Sequence, residues 1–215
     1  MRKWIREAAL QALVLAVAAF GIAVLPAATE AQTSGTYVGV VGGWISNEQI
    51  WQPDATTEKV GGVLLGGFVN AVTPAAWFSI QAEAYWAQRG GNVTTLVGGV
   101  TVDGGVRSDY LAVSVHPRAT VGVGPVGLFI SGGPTVEQII QSRLDPTLGP
   151  VLTESATTFG VNAGVGLSAQ INPRLRGEVE LRVFEGLGDA YSGDFVALHN
   201  RSFEVLARVG IPLRR

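Results

Sequence analysis

"FGVNAGVGLSAQI", residues 159–171, alternates almost without a break. Phe159, Val161, Ala163, Val165, Leu167, Ala169 and Ile171 fall on one face; Gly160, Asn162, Gly164, Gly166, Ser168 and Gln170 fall on the other. A repeat of two is the repeat of a strand, because successive side chains point to opposite faces of a sheet. A helix would need apolar residues at i+3 and i+4, and each interior glycine would cost it about 1 kcal/mol against alanine. A soluble β-sandwich would turn the apolar row inward to a core, whereas a membrane barrel would turn the same row outward to lipid. The period alone does not choose between them.

The chain has 215 residues, enough for one domain with a real core. Its formal net charge is −2 with 15% of residues charged, which points away from a nucleic-acid or polyanion surface. There is no cysteine, so disulfides, thiolate metal sites and cysteine nucleophiles are excluded together. The two histidines, His116 and His199, are far apart and form no H-E-x-x-H pattern, so neither a metal nor a cofactor is expected. The 29 glycines are the compositional outlier and need a structural reason.

The first segment reads as an address. Arg2, Lys3 and Arg6 precede an apolar run from Ala8 to Leu25, which ends in small residues around Thr29 and Ala31. This is the layout of a secretory signal peptide, residues 1–31, followed by a mature domain over residues 32–215. An uncleaved anchor is the competing reading; the alanine-rich run, Pro26 and the small residues at the junction favour removal. No later stretch offers a membrane helix, so a membrane-embedded mature chain has to be a closed barrel.

Eight strands of period 2 follow, beginning near Thr36, Val60, Trp77, Asp109, Val126, Thr157, Arg176 and Arg201. Three of the links between them are short and contain proline: "TPAA", "VGP" and "NPRL". The alternate links are long: "SNEQIWQPDATTEK", "GGNVTTLVGGVTVDGGVRS", "QSRLDPTLGPVLTESAT" and "SGDFVALHN". In an up-and-down meander all the short links then lie at one end and all the long ones at the other. The expectation is an all-β fold: an eight-stranded antiparallel transmembrane β-barrel with short periplasmic turns and long extracellular loops. "GVTVDGG" in the second long link is a candidate extension of its flanking strands.

The charged strands give the faces a direction. Val179, Leu181 and Val183 oppose Glu178, Glu180 and Arg182; Val205, Ala207 and Val209 oppose Glu204 and Arg208. Ile80, Ala82, Ala84 and Trp86 oppose Gln81, Glu83, Tyr85 and Arg89, and Val113 and Val115 oppose Ser114, His116 and Arg118. Both signs of charge share one face, as a narrow lumen requires, since a buried charge without a partner is costly. The expected lumen network is Glu83, His116, Arg118, Glu178, Glu180, Arg182, Glu204 and Arg208. The glycines of 159–171 are expected to leave space for its arginines. Trp44, Trp77 and Trp86, near expected strand ends, suit an interfacial aromatic girdle.

"FGVNAGVGLSAQINPRLRGEVELRVFEGL" and "YVGVVGGW" resemble the small eight-stranded outer-membrane β-barrels of Gram-negative bacteria, the OmpA-like and OmpX-like transmembrane domains of the porin family. The resemblance spans the whole expected mature chain. It implies the outer membrane as location, membrane lipid and lipopolysaccharide as surroundings, and the barrel-assembly machinery as a partner during insertion. It implies fold and place more strongly than activity. The ending "GIPLRR" departs from the terminal aromatic that the family commonly carries as an assembly signal, and no peptidoglycan-binding domain is expected after the barrel.

Three functions fit. The leading one is a non-enzymatic scaffold that displays extracellular loops to a surface ligand the sequence does not name. The second is a small ion pore, opened by rearranging the lumen pairs. The third is an envelope enzyme acting on lipid A, for which His199 and Ser202 are the only suggestive couple, and at i, i+3 on a strand they point to opposite faces. A soluble lipocalin-like barrel is the rival fold.

Overall fold

The computed structural model describes residues 35–52, 55–75, 77–97, 100–123, 126–146, 153–155, 157–192 and 197–213. The expected leader and the final two arginines lie outside them. Eight long strands make the wall: β1 (Thr36–Gln52), β2 (Val60–Val72), β3 (Phe78–Val97), β4 (Val100–Val123), β5 (Val126–Leu144), β6 (Thr157–Asn172), β7 (Leu175–Gly186) and β8 (Ala197–Leu213). Each pairs antiparallel with its sequence neighbour. β1 also pairs with β8 along its whole length, from Thr36 opposite Leu213 to Gln52 opposite Ala197. The sheet therefore closes and leaves no edge in the wall.

The short links are tight. At the β6–β7 turn the backbone N–H of Arg174 donates to Asn172 Oδ1 at 2.8 Å, which is how an asparagine before a proline stabilises a bend. The long links contain far more strand than their composition suggests. Ser46–Gln52 belongs to β1, and the glycine-rich stretch after Arg89 is a hairpin in which β3 and β4 stay paired out to Val97 opposite Val100. At 20 and 24 residues these two strands are about twice as long as a bilayer crossing needs. The seventh strand, expected over "RGEVELRVFEGLGDAY" from Arg176 to Tyr191, is shorter than that: β7 stops at Gly186, and Tyr191 sits in a separate short strand, Tyr191–Ser192, paired to β8.

The β4–β5 ladder has two irregularities. Between β4 and β5 no rungs form from Val115 to Pro117, where Pro117 and Pro134 lack an N–H to donate. Nearer the loop end the β4–β5 register shifts between Asp109 and Tyr110, so that Ile140 has no opposite number.

Alternation sorts the side chains cleanly. Val40, Leu65, Ile80, Val113, Val136, Phe159, Leu167, Val179, Phe203 and Ile211, among others, point outward and are exposed, forming an apolar belt around the barrel. Trp44 and Trp86 also point outward; they lie within long strands rather than at strand ends, but mark the rim of the belt, because Ser46 and Gln88 follow them on the same face.

Candidate functional site

All eight residues expected in the lumen point inward and are buried. Arg89, Arg176 and Glu137 join them, so the described interior holds five arginines and five glutamates. Arg89 shares the polar face of β3 that the alternation exposes, three residues beyond Trp86, the last of the opposed apolar row. Glu137 follows Pro134 on a strand whose inward row opens with Phe129, and a row led by an aromatic does not read as polar.

The network is continuous. At its centre Glu83 accepts from Arg182 at 2.8 Å and from Arg208 at 2.6 Å, while Glu180 pairs with the same two arginines. Toward the loops Glu204 lies 3.8 Å from Arg182 and 3.2 Å from Arg89, and Arg89 in turn holds Glu137 at 2.8 Å and donates to Ser202 Oγ. Toward the short turns Gln81 donates to Glu83 at 2.7 Å and accepts from Arg118, which pairs with Glu178. Arg176 completes that end, 3.0 Å from Glu178. His116 lies beside Asn162 rather than in an ion pair. Buried charges are tolerable only in such mutually satisfied sets.

The glycines of β6 make room for something other than arginine. A side chain at Gly160 would run into the Phe184 ring, one at Gly166 into the Phe129 ring, and one at Gly164 into the Glu180 carboxylate. Those rings carry the arginines: the Arg89 guanidinium stacks 4.0 Å from the centroid of Phe184, and that of Arg118 3.5 Å from Phe129. Gln170, expected in the lumen, instead sits by the β6–β7 turn and donates to the backbone carbonyls of Asn172 and Leu175.

Two parts of the interior were not anticipated. Val41, Ile45, Leu64, Phe68, Tyr85, Ala87, Ala112 and Leu206 make an apolar half of the lumen along β8 and β1 to β4. At the loop end Trp51, Val93, Val106, Tyr110, Ile139, Ala190, Tyr191 and Leu198 form a second apolar cluster above the charged layer. Tyr191 Oη is hydrogen-bonded to the hydroxyls of Ser108 and Ser142, tying the β7–β8 connection to the opposite wall. The His199–Ser202 couple is split across the wall: Ser202 is buried and bonded to Arg89 and Glu204, while His199 lies on the outer side, 3.7 Å from Glu185.

The sequence matches the family described as the outer membrane protein beta-barrel domain over residues 12–204. No curated protein matches it. Among solved structures it is similar to Neisserial surface protein A, with a TM-score of 0.53, 11% identity, and 84% of this chain and 98% of that chain covered. It is also similar to Ail, the attachment invasion locus protein of Yersinia pestis, in complex with the heparin analogue sucrose octasulfate (TM-score 0.40, 14% identity, 81% and 99% covered). A third is the N-terminal β-barrel domain of Pseudomonas aeruginosa OprF (0.38, 12%, 81% and 99%). At 11% identity the likeness to Neisserial surface protein A is one of fold alone. The closed antiparallel wall, its apolar outward belt and the family match lead to one conclusion: the chain belongs to the outer membrane protein beta-barrel family and resides in the bacterial outer membrane, its apolar rows against lipid.

Proposed function

We propose that the protein is a non-enzymatic scaffold of a Gram-negative outer membrane, exported by its signal peptide, that holds its loops and the long β3–β4 hairpin outside the cell. The observation that carries this reading is the interior: five arginines matched by five glutamates, closed off at the loop end by an apolar cluster. An interior spent on stability leaves the protruding segments as the part free to meet a partner. The placement of His199 and Ser202 on opposite sides of the wall supports the scaffold over lipid chemistry.

Planar-bilayer recordings of the refolded protein, together with mass spectrometry of lipid A from cells with and without it, test this. The expected result is no discrete channels and unchanged lipid A. Regular single-channel steps would replace the scaffold with a pore, and an altered lipid A would replace it with an enzyme.

A further inference from the structure

Two cations on the outer face just beyond the apolar belt are matched by carboxylates. Arg201 of β8 stands directly opposite Glu185 of β7 and donates to it through Nε and Nη2. Lys59 lies 4.0 Å from Glu48. On the β4–β5 wall the pairing is different. Arg107 stands directly opposite Arg143, both exposed, and among the described residues neither has an ion-pair partner. Like charges directly opposite on antiparallel strands destabilise a sheet.

The β-bulge creates this juxtaposition. Ile139 points inward, so in a regular strand Arg143, four residues on, would point inward too. The unpaired Ile140 shifts the phase: Ser142 turns in to Tyr191, and Arg143 turns out to face Arg107. A device that brings two unpartnered cations together needs an anion to explain it. Around them lies a recess of about 240 Å³, lined also by Gly61, Gln88, Arg89, Ser108, Asp109 and Gln141, in which the two amides add hydrogen-bonding capacity and Asp109 is the single carboxylate.

Its height selects the anion. Arg107 is four residues past Leu111, the last belt residue on β4, or about 13 Å along the strand and about 10 Å in height for the usual tilt. Arginine side chains there reach back to the headgroup layer of the outer leaflet. We infer that Arg107 and Arg143 form a binding site for the phosphate group of a phosphorylated outer-leaflet glycolipid. This rests on the outer-membrane location and on the loops being extracellular, not on the scaffold being inert.

The test is native mass spectrometry of the full-length barrel in detergent, titrated with bisphosphorylated lipid A, with dephosphorylated lipid A and with inorganic phosphate. Wild type is expected to retain the phosphorylated lipid preferentially, and Arg107→Gln with Arg143→Gln to weaken it roughly tenfold or more. Equal retention by wild type and the double variant, or of both lipids by wild type, overturns the site. Inorganic phosphate bound as tightly as the lipid overturns the lipid assignment in favour of a soluble anion. Arg107→Glu guards against a folding artefact: it converts the like-charged pair to an ion pair, so the lipid-free urea midpoint should hold or rise while lipid A retention falls. A fall in both would make the arginines merely structural. Neither channel recordings nor lipid A chemistry enters these readouts, so the scaffold reading stands or falls separately.

Discussion

Gly166 shows how an absent side chain supports a charge two contacts away. The Phe129 ring occupies the space a Cβ would take at Gly166, and that ring is the platform on which Arg118 stacks before reaching Glu178. Gly160 and Phe184 repeat the arrangement beneath Arg89. Gly166→Leu therefore has to displace Phe129, and overpacking of this kind costs about 1–3 kcal/mol before any loss at Arg118 is added. We expect a clear drop in the urea midpoint of the folded barrel, followed by its heat-modifiable migration on gels. Gly42→Ala is the matched control: it faces lipid, the nearest atom to the new methyl would be 3.7 Å away, and the midpoint should hardly move. A Gly166→Leu barrel as stable as the control would mean that the ring, and not the glycine, has room to give. That glycines line the inner face of β6 was legible from alternation. Which group fills the space was not, because Phe129 and Phe184 come from the two neighbouring strands and only the register brings them over β6.

At the scale of elements, the strands were legible within the membrane and, beyond it, only where "GVTVDGG" read as an extension of its neighbours, which the paired hairpin bears out. Inside the bilayer one face meets lipid and the other the lumen, so alternation is strict; above it both faces of a strand meet water or loops, and the apolar signal fades. The rest of "GGNVTTLVGGVTVDGGVRS" reads as a loop by its glycines, yet from Gly90 to Val97 the backbone also continues the β3–β4 ladder, because pairing satisfies donors and acceptors whatever the side chains are. The bulge at Ile140 left no composition signal at all. If the hairpin above the apolar cap is display rather than foundation, removing it should leave the barrel intact. Replacing residues 94–103 by Asn-Gly joins Val93 to Gly104, its partner across the ladder, through a two-residue turn suited to antiparallel strands, and keeps Val93 in the cap. The expected product inserts, shows the same heat-modifiable shift, and unfolds within about 1 kcal/mol of the parent, the scale of surface changes. Failure to fold in both detergent and lipid would show that the hairpin nucleates the wall.

For the whole molecule the two interior layers act in series. The charged layer is a poor path for ions because each carboxylate already has a guanidinium, and the apolar cap of Trp51, Tyr110, Tyr191 and Leu198 denies water a polar lining at the loop end. Sequence alone suggested only the first layer, since the cap is assembled from five different strands and from the β7–β8 connection, with no run of apolar residues in any one of them. Series barriers make a specific prediction for planar-bilayer recordings. Glu204→Ala takes one carboxylate from Arg89 and Arg182 but leaves the cap, and should stay silent. Tyr191→Ala with Leu198→Ala opens the cap but leaves the charges matched, and should also stay silent. The triple variant removes both and should give small channels that prefer anions, because the interior then carries one more arginine than glutamate. Channels from Glu204→Ala alone would show that the cap is no barrier. Silence of a correctly folded triple variant would assign the block to the apolar half of the lumen around Ile45, Leu64 and Phe68.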